Sequence, residues 1–553
     1  MMRPVTDILI RGATLIDGTG RRAVHGDVAV DAGRLSAVGP GLSRDSARRV
    51  LEADGLAVAP GFIDMHSHAD FTLPAYPDAL NSLAQGVTTE VIGNCGYSPA
   101  PMSDDPALAD AQRAAARGLG PDLAWDWTTF REYLDRLDAQ RPAVNCIALV
   151  GHGTLRLGVL GAEDRAATPD ELEAMRAGTT EALDAGAWGM STGLVYPPGS
   201  FAATDEIEAV GEPLRGAGGL YASHIRNEND ALADALREAT EIGRRLGVQV
   251  EVSHLKAAGI NNHGRAGEAL GILDEARAAG GRVGQDAYPY TAGSTLLTQL
   301  LPPWAQEGGV GPMVERLGSR EMRERIAADC RTGLPGWPNY NISAGGYDRI
   351  TIAAVVEPGL VELEGLTIAE AARRRGVNPL TVVFDTLVAD RGATTMIVEL
   401  MDEADVDRIL AHSATAIGSD QLGVTTPGAR VHPRSYGCFA RVLGRYVRER
   451  RALDLETAIH RMTGLPASIL GLTDRGRLEP GAIADLVLFD PATVADGSTY
   501  DEPTRPPVGI EAVLLAGQFA IEGGAALDAR LGRVLRPRRQ STGRSIPVSS
   551  SQA

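Results

Sequence analysis

The run PGFIDMHSHAD carries two histidines, His66 and His68, separated by one residue and preceded by a short apolar stretch. On an extended strand, residues i and i+2 face the same side. The spacing therefore aims both imidazoles into one cavity, as a metal site requires. Cys95, in TTEVIGNCGYSP, follows a β-branched run and is flanked by glycines. A thiolate there is a candidate zinc ligand that a bound metal would keep deprotonated. It reads equally as a small buried hydrophobe, the reading given to Cys146, Cys330 and Cys438. His224 in GLYASHIRNE and His254 in VEVSHLKA each end a strand-like run, 30 residues apart, which is about one β/α unit. Asp420 ends ATAIGSDQ in the same way. A carboxylate facing a metal can accept the proton of the water that the metal activates. Of the remaining histidines, His25, His263, His412 and His460 read as surface or helix residues. His152 (GHGTLR) and His432 (VHPRSYG) fall near loops where they would support ligands rather than bind metal.

These residues need elements that bring them to one place. Across about 60–470, short apolar runs ending in polar residues alternate with segments such as NDALADALREATEIGRRLG, whose apolar positions recur at three and four. That alternation predicts an α/β fold built on a parallel (β/α)8 barrel, with catalytic residues at the C-terminal ends of its strands. Both chain ends alternate apolar runs with turn residues. They predict one small β-sandwich domain assembled from residues 1–59 and 471–534. Residues 291–350 break the rhythm with proline, glycine, Trp304, Trp337 and Tyr340, and read as an inserted lid whose aromatics either cover the site or fill the insert's own core. The basic tail 535–553 reads as disordered.

The chain has 553 residues, of which 44% are hydrophobic and 22% charged, ordinary values for a globular protein. A net charge of −18 argues against nucleic acid or an anionic membrane as partner. No stretch approaches the roughly 20 apolar residues of a membrane span, and the opening MMRPVTDILIRGATLID lacks a signal-peptide layout. Four widely spaced cysteines do not form a disulfide framework, which predicts a reducing cytoplasm. Oligomeric state has no signature. Of the 53 basic residues a single one, Lys256, is lysine.

Taken in order, PGFIDMHSH, GNCG, GHGTLR, STGLVYPPG, SHIRNE, SHLKA, DAYPY and GSDQ resemble the N-acyl-D-amino acid deacylases (D-aminoacylases) of the amidohydrolase superfamily, and the likeness runs from Asp7 to Gly524. The resemblance implies zinc-dependent hydrolysis of the linear amide of an N-acyl-D-amino acid, giving a carboxylate and a free D-amino acid. It implies that Cys95, His224 and His254 hold a tightly bound zinc. His66, His68 and Asp420 would surround a second, weaker position bridged by Cys95, and Asp420 would be the general acid and base. It also implies an insertion capping the site, although the stretch from SHLKA to GSDQ is longer than in smaller members.

An N-acyl amino acid has a free α-carboxylate, and Lys256, two residues after His254, is the candidate to meet it. Tyr196, Tyr288 and Ser294 would add hydroxyls, and His152 would help stabilise the oxyanion. The alternative is that Lys256 pairs with a structural carboxylate or is solvated. No basic cluster in the lid argues for an acidic substrate, so a neutral or hydrophobic D-amino acid is expected. Two other readings are a cyclic-amide hydrolase of dihydroorotase or hydantoinase type and an inactive barrel kept as an interaction module. The first bridges its metals with a carboxylated lysine, which Lys256 is badly placed to supply. The second would be expected to lose ligands, and all six candidates are present.

Overall fold

The computed structural model describes residues 6–43, 47–422 and 430–537. Its centre is an eight-stranded parallel sheet in sequential order: β1 (Phe62–Asp64), β2 (Val87–Ile92), β3 (Asn145–Gly151), β4 (Gly189–Gly193), β5 (Leu220–His224), β6 (Gln249–Val252), β7 (Val283–Ala287) and β8 (Thr415–Ile417). Beyond the ladder, backbone bonds close it into a barrel. The Met65 N–H donates to the Ile417 carbonyl (3.2 Å), Asp420 N–H to His66 (2.7 Å) and His68 N–H to Gln421 (2.8 Å).

β2 and β3 are buried along their whole length, as parallel strands covered on both faces must be. Ile63, Met65, Val91, Leu149, Ala222 and Ala416 belong to one apolar cluster that fills the barrel. A second, larger cluster joins the strands to the helices. The helices follow the sequence periodicity. Leu232–Leu246 buries Leu232, Ala235, Leu236, Ala239, Ile242 and Leu246, and stops at Gly247, whose φ of 67° a side chain would resist. Pro169–Ala185 starts on a Thr168–Glu171 capping box.

The two chain ends form one nine-stranded sheet, joined where Ala57–Pro60 pairs antiparallel with Leu486–Phe489. It curls over a shared apolar core that includes Ile10, Val28, Val58, Leu486 and Leu514. Of the tail from 535, Leu535 donates its N–H to the Cys146 carbonyl and accepts from the Trp188 indole, and Arg536 pairs with Asp135 and Asp138. Residues 538–553 lie outside the described residues.

Between β7 and β8 the chain runs from 288 to 414 without adding a barrel strand. Residues 291–350 are the first part of this insert, which carries a three-stranded antiparallel sheet of Ala292–Leu296, Thr395–Glu399 and Ile350–Ile352. Helices Ile368–Arg375 and Pro379–Ala389 continue it. The Trp304 indole donates to Asp329 within the insert. The loop after β5 binds the insert from below: Asn227 donates to the Gly336 carbonyl (3.3 Å) and Asn229 to the Ser343 hydroxyl (2.9 Å).

Glycines set how closely the strand-end loops approach. A Cβ on Gly193, at the end of β4, would lie 2.0 Å from the Cys95 carbonyl oxygen, and one on Gly151 would lie 2.4 Å from the Gly96 carbonyl oxygen. The GNCG loop is therefore seated against two bare backbones. Gly193→Ala should force that loop outward and cost about 1–3 kcal/mol, the usual scale for overpacking. The expected result is a lower urea midpoint together with weakened metal retention; an unchanged midpoint with full metal content would show that the loop is free to shift.

Candidate active site

All six strand-end donors meet at one mouth. His66 and His68 follow β1, Cys95 follows β2, His224 ends β5, His254 follows β6 and Asp420 follows β8. Cys95, His254 and Asp420 have φ of 53°, 35° and 52°. Non-glycine residues rarely adopt this region, and such strain persists only where the surroundings impose it. Here they do. The Asp420 N–H is tied to His66, the His254 N–H donates to Asp286 Oδ1 (2.8 Å), and Cys95 packs on Gly193. A side-chain clasp adds to the closure of β1 against β8: Gln421 donates to Glu90 and to Ser67, and Ser67 donates to Glu90. Asp64 accepts from the N–H groups of His66 and Ser419.

The donors fall into two groups, His66, His68, Cys95 and Asp420 on one side and Cys95, His224 and His254 on the other. Within each group the ligand atoms lie within 4.8 Å of one another, and Cys95 belongs to both. Cys95 Sγ is 3.3 Å from Nε2 of both His66 and His254. Asp420 Oδ1 is 3.3 Å from His68 Nε2 and 3.6 Å from His66 Nε2. Every one of the six is at most 8% exposed. His224 has no hydrogen-bond partner at either ring nitrogen. A buried polar atom without a partner is costly, and a thiolate with imidazoles and a carboxylate is the donor set of zinc. The residues present fit a metal ion.

Their electrostatics follow from burial and from one another. Burial holds His224 and His254 well below the usual imidazole range, so both are neutral, the form that binds metal. Burial also opposes charge on His66, but Cys95 and Asp286 outweigh it and lift the group to about 10. The Cys95 thiol is pushed up to about 11 by burial, against the pull of His66; a cation beside it would reverse that sign. Burial alone would raise Asp420, yet Arg434 and His254 hold its carboxyl well below the ordinary range.

The remaining sequence candidates divide. Lys256 does enter the site, but its ammonium donates to Glu228 Oε1 at 2.5 Å and lies 2.7 Å from His254 Nδ1. It is the partner of a buried carboxylate, because a buried ammonium cannot stand unpaired. Tyr196 and Ser294 line a mouth cavity of about 30 Å³ together with His68, Cys95, Asp420 and Arg434. The Tyr196 hydroxyl accepts from Thr295 (3.1 Å). Tyr288 lies between two cations, its ring centre 5.7 Å from the Lys256 ammonium and 4.8 Å from the Arg434 guanidinium. His152 Nε2 is 3.2 Å from Glu206, which also binds Arg156.

Three residues joined the site that spacing did not single out. Glu228 sits 3.1 Å from His254 Nδ1 and 3.6 Å from His224 Nε2. Asp286 Oδ1 lies 3.6 Å from His66 Nδ1. Arg434 Nη1 is 2.8 Å from Asp420 Oδ2, and its Nη2 donates to the Ser294 carbonyl. His432 orients Arg434 by accepting its backbone N–H. The quoted motifs SHIRNE and DAYPY contain Glu228 and Asp286, but isolated carboxylates carry no spacing signal. A larger cavity of about 600 Å³ lies at the other end, lined by Trp188, Leu470, Arg475 and Arg533, and holds none of the six donors.

The model of the amidohydrolase family matches residues 49–521. An N-acyl-D-aspartate deacylase of Alcaligenes xylosoxydans xylosoxydans is 43% identical over 551 residues, covering 98% of this chain and 96% of that protein. A D-aminoacylase of the same organism is 40% identical over 531 residues, covering 96% and 97%. The crystal structure of an N-acyl-D-glutamate deacylase from Bordetella bronchiseptica, complexed with zinc and a phosphonate that mimics the tetrahedral intermediate, aligns with a TM-score of 0.81 at 38% identity, over 96% of this chain and all of that one.

The Glu228–Lys256 pair generates a direct test. Removing one partner of a buried ion pair strands the other and costs about 3–5 kcal/mol. Glu228→Gln and Lys256→Met should each be strongly destabilised, and the double variant should be less destabilised than their sum by about 1–3 kcal/mol. Additive losses in a urea-denaturation cycle would show that the two groups do not depend on each other.

Proposed function

The chain belongs to the amidohydrolase family, and from that premise we propose that it is a zinc-dependent deacylase of N-acyl-D-amino acids. It hydrolyses the linear amide to a carboxylate and a free D-amino acid. The observation that carries the reading is Cys95, shared between two donor groups at the barrel mouth, in a chain about 40% identical to such deacylases along nearly its whole length.

Cys95, His224 and His254 are the ligands of the tight zinc. His66, His68 and Asp420, with Cys95, frame a second, weaker position. Zinc held by Cys95, His224 and His254 would supply nucleophilic water at neutral pH and polarise the acyl carbonyl. Asp420 accepts the proton of the attacking water at Oδ1 and returns it to the leaving amine nitrogen. Arg434 keeps that carboxylate ionised by holding Oδ2 at 2.8 Å, which leaves Oδ1 for proton transfer. Glu228 and Asp286 orient His254 and His66 from behind. Among the cations at the mouth, Arg434 lines the cavity whereas Lys256 does not. The substrate α-carboxylate is therefore assigned to the side of the mouth that Arg434 and Tyr288 occupy, with Lys256 acting through Glu228 and His254. Tyr196, with Ser294 from the first strand of the insert, shapes the wall around the substrate.

The cyclic-amide alternative needs a carboxylated lysine between two metals. Here Lys256 Nζ is engaged by Glu228, and the position between the two donor groups belongs to Cys95. The preference for the D enantiomer rests on the relatives. No helix among the described residues is long and apolar enough to cross a membrane, and all four cysteines are free and buried, which supports a reducing cytoplasmic setting.

A screen of N-acetyl-D-amino acids against their L enantiomers tests the reading: turnover confined to the D series supports it, and turnover of L substrates alone would contradict it. Within that assay, Asp420→Asn is nearly isosteric but cannot accept and return a proton. It should lose about 100-fold or more in kcat while keeping the fold and the tight zinc. Near-normal turnover would assign the proton transfer to another group.

A further inference from the structure

A cleft of about 540 Å³ opens beside the mouth. Its floor follows three consecutive strands: Tyr97 after β2, Leu157 and Leu160 on the helix after β3, and Pro197 and Pro198 after β4. Its walls are the helix Pro106–Ala116, which presents Leu108, Ala111 and Ala115, and Val310 and Met313 of the insert. Charged residues stand at its rim, where Asp110, Glu163 and Arg391 are exposed. Tyr97 and Leu296 line both this cleft and the cavity that contains His68, Cys95 and Asp420. The two spaces therefore adjoin at Tyr97 and Leu296, and the Tyr97 ring packs 5.6 Å from that of Tyr196.

The charges of the site fix which end of a substrate would enter. Lys256, Tyr288 and Arg434 follow β6, β7 and β8, and in a closed eight-stranded barrel these lie across the mouth from β2, β3 and β4. A linear amide whose carboxylate points toward Arg434 and Tyr288 directs its acyl group the other way, toward Tyr97. An acetyl group would leave almost all of the cleft empty, although its volume is that of pockets which bury whole ligands, roughly 300–1,000 Å³.

We propose that the cleft is an acyl-chain site and that the preferred substrates carry acyl groups of about six carbons or more. The inference rests on the deacylase reading and deepens it. Tyr97 is the residue at which the chain leaves the metal cavity, and the alanines of the Pro106–Ala116 helix keep its path open. Each methylene moved from water into the cleft contributes about fourfold in affinity when fully buried. Partial burial of an octanoyl chain still leaves a large preference over acetyl.

The test is kcat/KM for N-acetyl, N-butanoyl, N-hexanoyl and N-octanoyl derivatives of D-methionine, D-aspartate and D-glutamate. On the amino acid that is turned over best, the value should rise by about 50-fold or more from acetyl to octanoyl. Ala111→Phe, and Val310→Trp from the opposite wall, should each lower the octanoyl-to-acetyl ratio by about tenfold or more; both positions are only partly buried, so at least one variant should fold. A flat or falling profile in an enzyme that hydrolyses the acetyl substrates overturns the acyl-chain site and leaves the deacylase reading intact. A rising profile that neither folded variant alters overturns the cleft as its cause. No turnover of any member overturns the deacylase reading, and this inference with it.

Discussion

Four ionisable nitrogen ligands, a thiol and a carboxylate are buried together at one end of the barrel, and burial of that kind is tolerable only around a shared cation. Unpartnered buried polar atoms cost several kcal/mol relative to water, and neither ring nitrogen of His224 has a hydrogen-bond partner. The rest of the structure can be understood as what that cluster demands. Parallel strands of common direction deliver their ends to one mouth. Backbone bonds from His66 to Asp420 and from His68 to Gln421 lock the first strand to the last. Bare glycine backbones at Gly151 and Gly193 let the Cys95 loop reach the centre.

Behind the donors stands a second ring of charge. Asp286 faces His66, Glu228 faces His254 and His224, and Arg434 holds Asp420. Groups of this kind fix ring orientation and ligand basicity, and their loss commonly costs as much as weakening a ligand. Lys256 belongs to this ring. Its partner is 28 residues earlier in the chain, so the pairing that sets its role appears only once β5 and β6 lie side by side.

Period and spacing made the barrel and its donors legible. The runs ahead of His224, His254 and Asp420 became barrel strands, and His66 and His68 share one cavity although β1 ends at Asp64, before either of them. The insert was legible only where proline and tryptophan broke the rhythm. Its later helices, such as Pro379–Ala389, carry the same amphipathic pattern as barrel helices, so nothing in their periodicity separates them. Glu228, Asp286 and Arg434 were not legible because their significance is a matter of tertiary distance: each is an ordinary charged residue until burial removes its water. His152 follows β3 at the start of a helix, with its Nε2 3.2 Å from Glu206.

The central claim is that zinc sits on Cys95 with two histidines, and X-ray absorption at the zinc edge of the purified enzyme tests it most directly. The account predicts one sulfur scatterer at about 2.3 Å with nitrogen or oxygen neighbours at about 2.0–2.1 Å. A zinc shell made only of nitrogen and oxygen, with Cys95 reduced and intact, would contradict it.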